Sequence, residues 1–196
     1  MSPSLAKALL TPDDLNYSVD LGVMFKLTIT YDRLGMEEIC SVTGEIHSVI
    51  CEVVHHILSQ KNDVKGYLER IPKEHLVFLQ LTESGTGSWW LKSEVFLPEQ
   101  LKDIAKDVGK ALVVEVIVTM FVASAHIGID WIETTVHPQP PVTARQVCDV
   151  TPQLRKMITQ LSQQGDVTFT LTGQYREDET KCELNIKTKK HSKKRQ

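Results

Sequence analysis

Residues 108–132 read VGKALVVEVIVTMFVASAHIGIDWI, the most apolar run in the chain, and whether this run is strand or helix decides the fold. Its β-branched density, with Val113, Val114, Val116, Ile117, Val118 and Val122, favours a buried strand by propensity. Its polar residues favour a helix. Glu115, Thr119, His126, Asp130 and Glu133 follow at spacings of four, seven, four and three, so at 100° per residue they fall on one narrow stripe. As a strand the same residues would scatter over both faces. The run reads as a helix, apolar over roughly three quarters of its circumference, more than a surface helix shows.

Such a helix is either the buried centre of a globular core or a membrane span. Residues 111–129 match the ~20 residues that cross a bilayer. Against crossing stand Glu115 and His126, because a carboxylate near the bilayer centre costs ~3 kcal/mol or more. Lys102, Lys106 and Lys110 precede the run and Asp130 and Glu133 follow it, which would put its N-terminal side inside; the lysine-rich end of the chain would then lie outside, against the charge rule. A core helix is the first expectation, and in it the polar stripe is the one solvated edge. In the membrane alternative, Glu115, Thr119 and His126 line a polar path on oligomerisation.

Outward from this helix the chain is ordinary globular sequence. Pro98 opens a helical lead-in with Leu101, Ile104, Val108 and Leu112 on one face. Before it, residues 75–83 and 89–97 read as strands joined by the turn GTGS at 85–88, where two glycines allow positive φ. Residues 36–60 read as a helix with Ile39, Ile46, Ile50, Val53 and Ile57 in its core stripe, and 23–31 as a half-buried alternating strand. On the other side, TTVHPQPPV at 134–142 reads as a linker, since three prolines resist both helix and central strand. A helix then starts with Thr151 as cap and Pro152 in the first position, faces inward with Leu154, Met157, Ile158 and Leu161, and stops at Gly165. Residues 167–175 and 181–187 form a hairpin.

The order β-α-β-β-α, then α-β-β, predicts an α+β fold: a mainly antiparallel sheet with helices on one face and a long, very apolar central helix. The divisions are an arm at 1–20, a core at 21–133, a Pro-rich linker at 134–150, an α-β-β element at 151–188 on or beside the core, and a basic, disordered tail at 189–196.

The 196 residues suffice for one substantial domain or two small ones. Net charge is −3, but the last eight residues, KKHSKKRQ, hold five of the 22 bases and none of the 25 acids, leaving a body at −8. Such a body repels nucleic acid, which is admitted as a partner only through the basic tail. That tail has no interleaved aromatic residue for base stacking. Cys40, Cys51, Cys148 and Cys182 form no CxxC, and MSPSLAKALLTPDD lacks the basic start and apolar core of an export signal. Reduced thiols and a cytoplasmic location follow as expectations, with membrane association as the alternative.

Candidate chemistry is sparse. His47, Cys51 and His55 stand four apart on one helix, as zinc ligands often do, but His55 points about 80° further round than Cys40 and His47 and no fourth ligand is evident. Cys148 with His137 or His126 is a conceivable nucleophile pair, although Asp149 beside it would raise the thiol pKa. The GTGS turn lacks phosphate-loop spacing. No catalytic residue, metal or cofactor is assigned; a small metal- or Cys-dependent enzyme remains as a third reading. Trp89 and Trp90 carry more information. Adjacent strand residues point to opposite faces, so one tryptophan serves the core while the other is free to anchor a partner.

The order of strand 23–31, helix 36–60, the strand pair 75–97 with its Gly/Ser turn 85–88, and the apolar helix 101–132 resembles the small adaptor domains that accompany effectors in bacterial conflict and defence systems. The resemblance covers residues 20–132 and is one of layout, without a shared residue motif. It implies a non-catalytic connector or regulator that binds a protein partner; the tryptophan strand and the polar stripe of the apolar helix then supply the candidate interaction residues, Trp89, Trp90, Glu115, Thr119, His126 and Asp130. A second copy of the chain is a further candidate partner, and the alternative function is a membrane-inserting effector using helix 111–129.

Overall fold

The computed structural model describes residues 14–31, 35–85, 89–127, 132–138, 149–163 and 165–188. Val19–Thr30 is strand β1, Met36–Ser59 helix α1, Lys65–Leu68 the short helix α2, and Phe78–Gly85 and Trp89–Leu97 are strands β2 and β3. Ala105–His126 is helix α3, Ile132–His137 strand β4, Thr151–Gln163 helix α4, and Val167–Tyr175 and Lys181–Thr188 are strands β5 and β6. The fold is α+β, with one six-stranded sheet in the order β2-β3-β1-β5-β6-β4 and every neighbouring pair antiparallel.

Alternation in β1 sets the two faces. Val19, Leu21, Val23, Phe25, Leu27 and Ile29 are buried, while Asp20, Met24, Lys26, Thr28 and Thr30 point the other way. Helices α1, α3 and α4 pack on the buried face and on one another. The apolar run is the central helix α3: Val108, Leu112, Val113, Val116, Met120 and Ala123 are wholly buried. It sits unusually close to the sheet because Gly109 has no side chain; a Cβ there would stand 2.6 Å from the Leu21 carbonyl oxygen and 2.7 Å from the Tyr175 ring. The stretch Glu99–His126 is long and apolar enough to cross a membrane by length and composition, yet more than half of its most apolar window is buried inside the protein.

Four expectations change. The lead-in to α3 is not one continuous α-helix, since Glu99–Ile104 is a 3-10 segment. The arm at 1–20 reaches into the fold: Leu15 is buried, the Asn16 carbonyl accepts the Glu99 N–H at 2.8 Å, and residues 19–20 belong to β1. The linker at 134–150 opens with a strand. Thr134, Thr135 and Val136 are β-branched and pair with Ile186, Asn185 and Leu184, and Pro138 follows the last residue of the strand. At α4, the Asp149 carboxylate, not Thr151, accepts an N-terminal N–H, that of Thr151 at 3.0 Å. The turn residues 86–88 and positions 139–148, Cys148 among them, lie outside the described residues.

The last hairpin joins the first sheet, because β5 lies directly against β1 over eight residue pairs, Val23–Tyr175 to Thr30–Thr168. Strand β4 then reveals a relation between the halves of the chain. β1-α1-β2-β3 and β4-α4-β5-β6 are both β-α-β-β, and both lay their strands in the order second, third, first across the sheet.

Candidate interaction surfaces

The sheet face opposite the helices is uncovered among the described residues. Because threonine, lysine and glutamate alternate with core residues along β1, β5 and β6, this face is polar: Thr170 donates to Asn185 at 2.6 Å and Thr172 to Glu183 at 3.3 Å. Met24, Lys26, Thr28, Thr172, Gln174 and Lys181 are among the residues around a shallow hollow of about 350 Å³ at its middle. Trp90 stands at its rim, opposite Thr28 in the β1–β3 register, with the Lys26 ammonium 5.0 Å from the ring centroid. Trp89, one residue earlier, turns to the other side and packs against the core. The two indoles thus take opposite faces, and Trp90 is the one that meets solvent chemistry.

The polar stripe of α3 does not stay together. Thr119 is wholly buried and its hydroxyl has no hydrogen-bond partner among the described residues. Glu115 is half-buried beside α1; burial raises its carboxyl pKa and nearby His56 works against that rise. His126 is exposed at the helix end, Glu133 belongs to β4, and Asp130 lies outside the described residues. The solvated edge expected of α3 is therefore not this stripe, because α1 and α4 pack on α3. Between its charged first turns, with exposed Lys106, Asp107 and Lys110, and exposed His126 at its end, its outward surface is mostly apolar: Ala111, Val114, Val118, Phe121 and Val122 are all partly exposed, beside half-buried Glu115. Sequence spacing alone does not mark the outward side of its middle turns, since Val114, Val118, Phe121 and Val122 there are as apolar as the buried residues.

The first helix does not build a reactive centre. Cys51 Sγ lies 3.6 Å from His47 Nε2, but that nitrogen also lies 3.0 Å from the Val77 carbonyl oxygen, an acceptor that requires it to carry the proton. It cannot then take a proton from the thiol. Burial pushes the Cys51 thiol up to about 12, so the thiolate is absent at neutral pH. Cys40 is exposed, and burial lowers the His55 pKa. Among the described residues no three His, Cys, Asp or Glu side chains stand close enough to share a metal ion.

Strand edges were missed by sequence reasoning. β2 is an outer strand, and the exposed large hydrophobic residues among those described are Met36, Phe78 at 47 % and Leu81 at 57 %, two of them on β2. Between α1 and the sheet lies a narrow apolar crevice that reaches β2 at Leu79 and is lined also by Phe25, Leu27, Ile46, Ile50 and Leu91. An alternating pattern reads the same in an edge and an inner strand, so nothing local flagged β2.

Comparison with known proteins finds nothing to set beside this chain. No family model, curated protein or solved structure matches it.

Proposed function

We propose that the chain is a non-catalytic adaptor or regulatory module that holds a protein partner on the open face of its sheet. The observation that carries this reading is Trp90: a large indole, kept in place by Lys26, on a face with no covering layer among the described residues. An indole anchoring a partner is worth ~2 kcal/mol or more, about 30-fold in affinity. The resemblance in sequence layout to effector-associated adaptors suggests a cytoplasmic setting in bacterial defence, with the effector as partner. The test is copurification of tagged chain from its native cells, comparing Trp90→Ala with Trp89→Ala. A partner held by the native chain and lost with Trp90→Ala, at unchanged thermal stability, supports the reading. Retention of that partner by Trp90→Ala sinks it.

A second reading, a membrane-inserting effector, draws on the apolar outward surface of α3 at Val114, Val118, Phe121 and Val122. Lipid contact through that surface requires the expressed chain to stay in the membrane pellet after carbonate washing. Recovery in the soluble fraction removes it.

A further inference from the structure

We propose that copies of this chain add head to tail, the β4 edge of one pairing antiparallel with the β2 edge of the next. This stands apart from the partner reading above, since it uses the sheet's ends and not its open face. The geometry begins with the strand order. Inside the molecule the halves meet where β1, the first strand of one, pairs antiparallel with β5, the second strand of the other. The two outer strands are the same kinds: β4 is a first strand and β2 a second strand. Directions alternate across six antiparallel strands, so β2 and β4 run oppositely. Antiparallel pairing between molecules therefore leaves the second copy in the same orientation, with its helices on the same face.

Each edge strand carries a single acid near one end, Glu83 in β2 and Glu133 in β4, and is otherwise free of the charges that ordinarily block such pairing. Residues 78–82 of β2 and 134–137 of β4 contain no Lys, Arg, Asp or Glu. β2 also leaves Phe78 and Leu81 exposed; Leu81 shares the helix side of the strand with Leu79, which lines the crevice, and an incoming strand would cover it.

Charge then selects which edges meet. Around β2, Lys73, Lys92 and Arg176 pair with Glu52, Glu83 and Glu94, and Glu74 adds a further acid. Around β4 and its neighbour β6, Glu133 and Glu183 balance Lys181 and Lys187, and five bases follow Thr188 in residues 189–196. Two β2 ends repel each other; a β2 end and a β4 end attract. Because the joined surfaces are different patches, the contact does not close at two copies.

Sedimentation of the full chain tests this, with Leu81→Lys to block the β2 edge and Thr134→Lys to block the β4 edge, folding checked by circular dichroism. The native chain is expected to show a mass that rises past the dimer with concentration, weakened about tenfold between 0.1 M and 1 M salt, where the screening length falls from ≈10 to ≈3 Å. Each variant alone is expected to be monomeric, and a mixture of the two to form a one-to-one dimer, since each keeps one working edge. Should Thr134→Lys not fold, Thr135→Pro takes its place. A native chain monomeric at every concentration, or a dimer that survives with the β4 edge blocked and is lost only with Leu81→Lys, overturns the proposal; the latter would mean β2-to-β2 pairing.

Discussion

Trp90 fills the space that a side chain at Gly85 would need: a Cβ on Gly85 would stand 2.1 Å from the indole Nε1, and the two residues are directly paired across β2 and β3. The glycine is thus the seat of the indole. Gly85→Ala is expected to push Trp90 off β2 and away from Lys26, costing on the order of 1 kcal/mol. Tryptophan fluorescence checks this, because the spectral change should vanish when Gly85→Ala is made in a Trp90→Phe background.

Gly109 places α3 against Leu21 and Tyr175. Alanine is the better helix former by up to ~1 kcal/mol, so on an exposed helix the substitution would stabilise. Here the added methyl collides with backbone, and Gly109→Ala is expected to destabilise by about 1–3 kcal/mol. Denaturant unfolding gives the sign directly.

The Thr119 hydroxyl is buried without a hydrogen-bond partner among the described residues. Thr119→Val keeps the shape and removes the polar atom, so it is expected to leave stability unchanged or raise it by up to about 1 kcal/mol. A clear loss would mean that the hydroxyl faces water or a polar path, as the membrane reading requires.

Cys51 carries a pH signature. Its thiol rises from 9.0 to about 12 in the folded chain, so the stability it contributes is fully present below pH 9 and drains away between about 9 and 12, as the unfolded chain gains thiolate first. The unfolding midpoint is expected to fall across that window, and Cys51→Val to flatten part of the fall. Below pH 9 iodoacetamide should label exposed Cys40 and spare Cys51.

Because β5 and β6 belong to the same sheet as β1, a fragment ending at residue 150 exposes the long side of β1 and the part of α3 that rests on β5 and β6. It is expected to be insoluble, where a true two-domain chain would yield a folded piece. Expression and gel filtration of the fragment decide between them.

Periodicity made α1, β1, β3 and α4 legible, because each has one buried stripe whose spacing survives in the sequence, such as Ile39, Ile46, Ile50, Val53 and Ile57. α3 was legible as a helix, but its orientation was not: Thr119 looks like a solvated residue until α1 and α4 are seen to pack on the helix. β4 was hidden because six residues beside a proline cluster carry too little pattern, and its strand character comes from the β6 ladder. Of the candidate residues, the opposition of Trp89 and Trp90 followed from strand geometry alone. Which of them would find cover, and that Gly85 lies beneath Trp90, needed the third dimension.

The strand at the centre of the sheet is completed from both ends of the chain. β1 receives β3 early, but its other neighbour, β5, is finished only at Tyr175, roughly 80 residues later, about 4–16 s at a synthesis rate of ~5–20 residues per second. Throughout that interval on the ribosome, β1 is an open edge backed by the apolar side chains of Val23, Phe25, Leu27 and Ile29. A nascent chain in this condition is a substrate for chaperones that bind extended apolar segments, and its yield in the cell depends on how well that wait is covered.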